Sequence, residues 1–241
     1  MQNIAVRDLL DISCAPDVES LKTRLVAFAN RLDFGLMSAV LINGNLNSPN
    51  VQGRSISNTP EAFIEISRSL DTARRDPVMQ CLMRQDLPFI YDQRTYAEAD
   101  AGDLWEMQAP YGYSTGIAVA MHLSKDKHFL LGVDRPTKLP RKEETLTYLL
   151  DSVQTLAVHA QAAAQRLIGD ELNTPRPKPK LTPQELECLR LSMDGRSAWH
   201  VAQLLGISPR TVNFHIQSSL KKLGVATKMQ AVITCLELGL I

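Results

Sequence analysis

The sequence contains few of the residue patterns that hold metals or disulfide bridges. Its 241 residues include four cysteines that lie far apart and form no C-x-x-C pair: Cys14, Cys81, Cys188 and Cys235. This spacing argues against a zinc site and against a disulfide framework. His122, His128 and His159 also lack the spacing of metal ligands. We therefore expect reduced thiols, no metal centre and no bound cofactor.

Long apolar runs and catalytic motifs are missing as well. No stretch approaches the roughly 18 consecutive apolar residues that a membrane-spanning helix needs, and the first residues do not combine a basic segment with an apolar core. We therefore expect a cytoplasmic protein with no membrane partner. The sequence has neither a G-x-S-x-G motif nor a phosphate-binding loop. An enzyme is accordingly not expected.

Charge is distributed unevenly along the chain, although the formal net charge is +0. Residues 173–241 contain nine Lys or Arg against four Asp or Glu, which gives this segment a charge of +5. Residues 1–172 contain the other 17 basic and 22 acidic residues and carry −5. A polyanionic partner is therefore expected at the C-terminal third.

Chain length and proline placement predict two domains. A single hydrophobic core usually serves about 100 to 200 residues, and this chain is longer. The segment GDELNTPRPKPK, residues 169–180, alternates three prolines with polar residues, which interrupts a helix and favours extended backbone. We predict an N-terminal domain over 1–168, a Pro-rich linker over 169–180 and a C-terminal domain over 181–241.

Residues 1–168 combine helical and strand-like patterns. Helices are predicted over 18–32, 60–70, 77–85 and 144–168, and strands over 36–42, 51–57, 87–91 and two segments within 115–134. The strand pairs flanking turn-rich segments predict antiparallel hairpins. Helices on both faces of such a sheet give an α+β fold, an α-β-α sandwich. Sandwiches of this kind often enclose an apolar pocket, but a fold alone assigns no function.

Helix caps divide the C-terminal domain into an all-α, four-helix arrangement. Thr182 and Glu185 form a capping-box pattern at the start of the first helix. Ser197 and Ser208 are placed to cap the next two helices, and Thr227 starts the fourth. A tight turn joins the second and third helices, as in a helix-turn-helix unit, whose second helix can lie in the major groove of DNA.

The third of these helices has an apolar and a polar face. Its apolar positions recur at three and four and are expected in the core: Val212, Ile216, Leu220 and Leu223. The side chains expected to bind DNA are Arg210, Thr211, Asn213, His215, Gln217, Lys221 and Lys222. The amides of Asn213 and Gln217 match the donor and acceptor of adenine, and the cationic side chains and Thr211 suit phosphates. The alternative is a solvated helix with incidental charge.

Residues 181–241 closely resemble the DNA-binding domain of LuxR-type transcriptional regulators. The positions that carry the resemblance are Leu181, Thr182, Glu185, Gly195, Ile207, Ser208, Thr211, Val212, His215, Lys222, Leu223 and Ala231. The resemblance implies that the third helix enters the major groove and that Asn213 and Gln217 contact bases. It also implies a homodimer on a two-fold symmetric operator, and the apolar face of the fourth helix is a candidate dimer contact.

The N-terminal 170 residues resemble, more weakly, the autoinducer-binding domain of the quorum-sensing branch, which holds an acyl-homoserine lactone. Asp76 and Pro77 in RRDPVMQ match the Asp-Pro pair of that family, and Gly116 matches a glycine of the later hairpin. The resemblance implies that Asp76 accepts a hydrogen bond from the ligand amide. An aspartate before a helix-starting proline is also an N-cap, so both roles stay open.

Several predicted pocket positions depart from the family pattern. Phe63 stands where the family has a tryptophan that donates to the lactone carbonyl, Thr59 and Ser67 replace tyrosines, and Tyr91 replaces a tryptophan that packs over the lactone. Because Phe63 has no donor, a buried lactone carbonyl there would lack a partner worth about 1 to 3 kcal/mol. Trp105 is a further candidate pocket residue. For Phe63, Tyr91 and Trp105 the alternative is ordinary packing.

These patterns predict a dimeric transcriptional regulator of quorum-sensing type that senses an acyl-homoserine lactone or a related small apolar signal. RNA polymerase is a further candidate partner. The alternative is a ligand-independent LuxR-type regulator whose N-terminal domain serves mainly dimerisation. A phosphorylation-controlled response regulator would need a strand-helix receiver where this sequence predicts hairpins. A sigma-factor-like promoter-recognition module also stays open.

Overall fold

A computed structural model describes residues 5–46, 51–67, 69–123, 126–173 and 180–241. The chain divides into two compact units, residues 1–174 and 175–241. Each unit has an apolar core of its own. Of the predicted Pro-rich linker, residues 174–179 lie outside the described residues, and so do residues 47–50 of the loop in the first predicted hairpin.

Five antiparallel strands form the sheet of the N-terminal unit. They are β1 Leu36–Asn43, β2 Gln52–Ser57, β3 Phe89–Tyr91, β4 Thr115–Leu123 and β5 Lys127–Arg135. Their order in the sheet is β2-β1-β5-β4-β3. Pairing of Ser38 with Ser57 and of Ala118 with Gly132 confirms both predicted hairpins. The two hairpins meet at the centre of the sheet, where β1 pairs with β5.

Helices cover both faces of this sheet. They are α1 Val6–Ser13, α2 Val18–Arg31, α3 Glu61–Ser67, α4 Leu70–Arg75, α5 Pro77–Leu82, α6 Gln93–Glu98, α7 Gly102–Gln108 and α8 Glu143–Ile168. Side chains from α1, α2 and α8 form the larger core with one face of the sheet. Side chains from α5, α6 and α7 form a second apolar cluster with the other face. The predicted α-β-α sandwich is thereby confirmed.

The segment predicted as one helix over 60–70 is divided in the structure. Helix α3 ends at Ser67, and the hydroxyl of Ser69 then accepts a 3.2 Å bond from the backbone N–H of Asp71 and starts α4. Asp76 in turn ends α4 and caps α5. Short polar side chains offer the backbone such local bonds in place of helix continuation, which explains the interruption. Helices α1, α4, α6 and α7 were not among the ranges predicted from the sequence.

The C-terminal unit consists, within its described residues, of α9 Pro183–Met193, α10 Ala198–Leu205, α11 Pro209–Leu223 and α12 Lys228–Glu237. The four predicted cap hydroxyls accept backbone N–H bonds of 3.1 to 3.3 Å: Thr182, Ser197, Ser208 and Thr227. Gly206, with φ of 66°, ends α10 in the left-handed conformation that glycine adopts readily. The turn into α11 is short for this reason, and the predicted helix-turn-helix is confirmed.

One ion pair connects the start of α9 with the end of α11. The carboxylate of Glu185, which is 3% exposed, accepts bonds of 2.9 and 2.8 Å from the Nζ atom of Lys222. It also accepts 2.7 Å bonds from the Ser218 hydroxyl and from the backbone N–H of Thr182. Burial disfavours the charged carboxylate, but these bonds outweigh burial and lower the pKa of Glu185 to about 2.

Replacing Lys222 should therefore loosen the C-terminal unit. We expect Lys222→Met to lower the stability of the α9–α11 pair by about 1 to 3 kcal/mol, because the Glu185 carboxylate is left buried without its cation. Hydrogen exchange of amides in α9 and α11 of the full chain measures this change. Glu187→Gln is the matched control, since Glu187 is half-buried and pairs with Arg190 at 3.8 Å. Unchanged protection in Lys222→Met would contradict the prediction.

The same pair predicts an acid-labile helix contact. Because the pKa of Glu185 is lowered from 4.5 to about 2, its stabilisation is fully present above pH 4.5 and is lost as pH falls towards 2. Glu185→Gln should flatten this acid limb of the exchange-derived stability curve. An acid limb of equal slope in wild type and variant would assign the pH dependence to other groups.

Candidate functional site

A cavity of about 630 Å³ lies in the N-terminal unit, between the sheet and helices α3 to α7. Its volume is in the range of sites that hold small organic ligands. Apolar side chains cover much of its wall, including Val40, Ile64, Leu82, Leu104 and Leu130. Polar side chains make up the rest of the wall: the carboxyls of Asp76 and Asp134, the hydroxyls of Tyr91, Tyr96 and Tyr113, the amide of Gln108, and the smaller side chains of Ser38, Ser55, Ser57, Thr59, Ser67 and Thr72. An apolar chain with a polar head group matches this division.

Asp76 lies in this wall and also caps α5. Its Oδ1 atom accepts bonds from the backbone N–H groups of Val78, at 2.8 Å, and Met79, at 3.4 Å, and from the Tyr96 hydroxyl at 3.3 Å. Burial raises the pKa of Asp76 although these bonds oppose the rise. All three bonds end on one oxygen, so the cap leaves the Oδ2 atom for a ligand. The cap role is confirmed, and the ligand role stays a prediction.

A second buried carboxyl, Asp134, was not singled out from the sequence. Asp134 is 2% exposed, and its Oδ1 atom accepts a 2.5 Å hydrogen bond from the hydroxyl of Tyr91. Burial raises the pKa of Asp134 to about 7, the bond from Tyr91 opposes the rise, and the charge of Asp76 adds to it. Two carboxyls therefore share one cavity wall.

Strand periodicity is the signal that would have found Asp134. Successive side chains of a strand face opposite sides, so Leu130, Gly132 and Asp134 share one face of β5. The structure places these three in the cavity wall and their neighbours, such as Leu131 and Val133, in the larger core. The stretch FLLGVD has an apolar appearance that hides this alternation, because its first five residues are all non-polar.

Gly116 lies outside the cavity wall and acts through Tyr91. The two residues are paired between β3 and β4. A Cβ atom at Gly116 would lie 2.5 Å from the Cζ and hydroxyl oxygen atoms of Tyr91 and 2.7 Å from the carbonyl oxygen of Val133. Such approaches are sterically excluded, so only glycine lets the Tyr91 ring cross this strand and reach Asp134. This geometry gives Gly116 a positioning role for Tyr91, and its predicted contact with a ligand stays a prediction.

Phe63 and Thr59 are part of the cavity wall, as expected. The ring of Phe63 packs against Tyr111 and Tyr113, with centroids 5.3 and 4.8 Å apart. The hydroxyl of Tyr113 donates a 2.8 Å bond to the Oγ1 atom of Thr59, and burial raises the pKa of Tyr113 to about 12. The aromatic side chains thus close this part of the wall.

Ser67 and Trp105 differ in their relation to the cavity. Ser67 lines it, and its hydroxyl donates a 3.5 Å bond to the carbonyl oxygen of Ile64. Trp105 is not part of the wall among the residues described. Its indole Nε1 atom donates a 3.3 Å bond to the carbonyl oxygen of Ser114, and its ring packs on the second apolar cluster. These contacts agree with the packing alternative for Trp105, and a contact with a ligand stays a prediction.

Helix α11 presents an exposed polar face, separate from its buried one. The side chains of Arg210, Asn213, Gln217 and Lys221 are exposed and lie about one turn apart. The four apolar positions predicted for the core are buried: Val212, Ile216, Leu220 and Leu223. Asn213 and Gln217 are therefore presented as base reading requires.

Three other predicted DNA contacts have partners inside the C-terminal unit. The hydroxyl of Thr211 lies 2.8 Å from that of Ser208, and the Thr211 backbone N–H is bonded to the same cap. The ring of His215 is half-buried and meets Phe214 edge-on. Lys222 is 38% exposed but holds Glu185. For these three residues, the structure gives a role in the fold that the sequence pattern did not indicate.

Phe214 was missed and belongs to the exposed face. It is 69% exposed and lies one turn from both Arg210 and Gln217. An aromatic residue outside the apolar repeat of a helix was the available signal. Aromatic side chains can contact the methyl group of thymine in the major groove. The α11 face thus offers amide, cationic and apolar contacts together.

The described residues contain neither a group of metal ligands nor a helix that could span a membrane. There, no group of three or more His, Cys, Asp or Glu side chains is arranged to hold a metal ion. None of the described helices has both the length and the apolar character needed to cross a bilayer. The four cysteines are free thiols.

Comparison with known proteins identifies both domains. Residues 179–235 match the model of bacterial regulatory proteins of the luxR family, and residues 17–164 match the autoinducer binding domain. The chain is 28% identical over 187 residues to the transcriptional activator protein AnoR of Acinetobacter nosocomialis, covering 77% of each protein.

Two solved structures share the fold. SdiA in complex with octanoyl-rac-glycerol aligns with a TM-score of 0.59 and 21% identity, over 98% of this chain and 97% of the other. The N-acylhomoserine lactone dependent LuxR family factor CepR2 from Burkholderia cenocepacia aligns with a TM-score of 0.58 and 17% identity, over 68% and 95%. The family predicted from the sequence is thus confirmed: the chain belongs to the LuxR family of bacterial regulatory proteins, which are transcriptional regulators and not enzymes, and it joins an autoinducer-binding domain to a helix-turn-helix DNA-binding domain.

Proposed function

We propose that this protein is a homodimeric, cytoplasmic regulator in which a small acyl signal in the cavity controls how two helix-turn-helix units bind a two-fold symmetric operator. The observation that carries the proposal is the cavity of about 630 Å³, with an apolar wall and the free oxygen of Asp76, in a chain that also has a DNA-binding domain. RNA polymerase is the further partner of a regulator that activates transcription.

The signal would act by mass action on folding and assembly. A ligand that binds only the folded domain stabilises it by RT ln(1 + [L]/Kd), which is about 2.7 kcal/mol at one hundred times Kd. The apolar lining, with Val40, Leu82 and Leu130, supplies the surface that an acyl chain would cover. Relatives support this class of ligand, because octanoyl-rac-glycerol is bound by SdiA and CepR2 is N-acylhomoserine lactone dependent.

An apolar stripe on α12 supports the homodimer. Met229, Ile233 and Leu236 are exposed and follow each other at spacings of four and three residues, which places them on one face of the helix. A self-complementary patch of this kind suits a two-fold interface, where the same surface of each subunit meets its copy. Two subunits held in this way would present their α11 helices to two half-sites.

A ligand-independent regulator is the second candidate, and the packing of Phe63 favours it. The Phe63 ring is already in contact with Tyr111 and Tyr113, and the Tyr113 hydroxyl is already bonded to Thr59. This part of the wall therefore needs no ligand to complete its contacts. The dimer would then bind DNA without a signal.

The two candidates differ in their response to acyl compounds. We expect at least one member of a panel of acyl amides, with butanoyl, octanoyl and dodecanoyl chains and varied head groups, to raise both the melting temperature and the operator affinity of the full-length protein. The cause is preferential binding to the folded dimer. Stable, operator-binding protein that responds to no member of the panel would favour the ligand-independent regulator.

Two substitutions of Asp76 distinguish its role as a helix cap from its predicted role as a ligand contact. Asp76→Asn keeps a side-chain oxygen for the α5 cap but places an amide NH₂ where the free oxygen was, so the melting temperature without ligand should hold while the ligand-dependent rise disappears. Asp76→Ala should lose the rise and also about 1 kcal/mol of stability. Asp92→Asn is the matched control, because Asp92 caps α6 and is exposed. A full ligand response in Asp76→Asn would leave Asp76 as a cap alone.

Base reading by α11 is tested on an operator selected from random duplexes. Asn213→Ala and Gln217→Ala should each lower operator affinity by about 1 to 3 kcal/mol, with little change on random DNA, because they remove base contacts. Lys221→Ala is the control: it should weaken both kinds of DNA alike and reduce the salt slope by about one charge. Equal losses on operator and random DNA for both amide variants would refute base reading.

A further inference from the structure

We propose that Asp134 makes the cavity selective for a signal whose head group donates hydrogen bonds, through a hydroxyl or a protonated amine, over the lactone head group, whose carbonyl and ring oxygens only accept. This inference rests on the proposed function, since it names the head group of the same cavity ligand. The structural basis is a buried, partly unpartnered carboxyl in the polar part of the wall.

Asp134 keeps one oxygen for the cavity. Its Oδ1 atom is occupied by the Tyr91 hydroxyl, whereas no described group forms a hydrogen bond with its Oδ2 atom. A Cβ atom at Gly132 would lie 3.9 Å from this Oδ2 atom and 3.9 Å from the Tyr91 hydroxyl oxygen. Gly132 lines the cavity beside Asp134, and the missing side chain leaves room in front of the pair. A ligand atom can therefore approach the Oδ2 atom.

The hydroxyl protons of the three tyrosines in the wall are directed to protein acceptors. Tyr91 donates to Asp134, Tyr96 donates to Asp76, and Tyr113 donates to Thr59. Phe63, in the same wall, has no donor. A lactone carbonyl placed here would have to rely on the Gln108 amide or on hydroxyls of Thr59, Thr72 and the serines of the wall. Acceptors, in contrast, are available on both carboxyls.

The charges of the wall also favour a donor. Its described residues include two carboxyls, Asp76 and Asp134, and no Lys, Arg or His. The titratable groups that interact with Asp134 are Tyr91 from β3, Asp76 from the start of α5, Tyr96 from α6 and Tyr113 before β4, and none of them supplies a positive charge. A buried carboxylate is unfavourable without a cation or a hydrogen-bond donor. A hydroxyl or ammonium group on the ligand supplies the partner that the Oδ2 atom of Asp134 lacks among the described residues.

An acyl amide with a second donor satisfies both carboxyls. Its amide N–H can bind the free oxygen of Asp76, and a hydroxyl or ammonium two carbons farther along can bind the Oδ2 atom of Asp134. In an acyl-homoserine lactone the amide N–H is the single donor, so the ionised carboxylate of Asp134, the form that prevails above about pH 7, would stay unpartnered beside a carbonyl oxygen. The two ligand classes therefore differ in one contact at one residue.

Three probes with the same octanoyl chain and amide isolate the head group: N-octanoyl-homoserine lactone, N-octanoyl-ethanolamine and N-octanoyl-ethylenediamine. Calorimetric titration of the full-length protein should give Kd values at least about ten-fold lower for one of the two donor probes than for the lactone. If the ammonium is the preferred donor, its affinity should rise between about pH 6 and about pH 8, because the carboxyl of Asp134 ionises in that window. If the hydroxyl is the preferred donor, the affinity of the ethanolamine probe should increase little over the same pH range.

Asp134→Asn should reverse the preference. The asparagine oxygen can still accept the bond from Tyr91, while its NH₂ group faces the cavity as a donor, which suits the lactone carbonyl. Without ligand, Asp134→Asn should also be more stable than wild type at about pH 8, since a raised carboxyl pKa means that stability is lost as pH rises through about 7. Asp103→Asn, in an exposed ion pair with Arg75, is the control and should change neither result.

The outcomes separate this inference from the proposed function. Tighter binding of the lactone to the wild type, at both pH values, would overturn the inference while leaving a signal-binding regulator in place. A donor preference that persists in Asp134→Asn would also overturn it, because another residue would then read the head group. Failure of all three head groups, with butanoyl and dodecanoyl chains as well, would overturn both. If Asp134→Asn does not fold, the Kd values of the three probes on the wild-type protein still test the head-group preference.

Discussion

The alternation of side chains along the central sheet is the constraint on which the N-terminal unit depends. Because β5 lies at the middle of the sheet, it must supply both the larger core and the cavity wall. Leu131 and Val133 serve the core, whereas Gly132 and Asp134 face the cavity. The position of Asp134 on β5 therefore places its carboxyl in the cavity wall. The Tyr91 hydroxyl donates a hydrogen bond to this carboxyl, and Gly116 leaves the space that the Tyr91 side chain needs. The chemistry of the wall follows from this placement.

The C-terminal unit is organised by its helix caps and by one buried ion pair. Four cap hydroxyls set where the helices begin. Glu185, in α9, binds Lys222 near the end of α11 and so connects the two helices. Fixing α11 at its core face leaves Asn213 and Gln217 exposed on the other. A rigid recognition helix loses less conformational freedom when it binds, which favours specific contacts over diffuse attraction. Both units thus use buried polar contacts to position their functional groups.

The sequence predicted the parts of this protein that depend on local patterns. Caps such as Ser208, hairpins and the long helix α8 could be read because each is encoded within a few neighbouring residues. The contacts between distant residues could not: nothing near Lys222 identifies Glu185 as its partner, and nothing near Asp134 identifies Tyr91. Gly116 was matched to a family glycine by resemblance and Trp105 was a pocket candidate with packing as its alternative; tertiary geometry is needed to tell residues of the cavity wall from residues that support it.

The ionisation of Asp134 tests the central claim most directly, namely that two carboxyls share a buried, cation-free cavity wall. Carbon-detected NMR of aspartate-labelled full-length protein, with Asp134→Asn to assign the signal, follows this carboxyl as pH is changed. The account predicts a titration midpoint near neutrality, at about 7, in protein without added ligand. A midpoint near the ordinary value of 3.8 would show that the carboxyl is solvated or paired with a cation and would contradict the account.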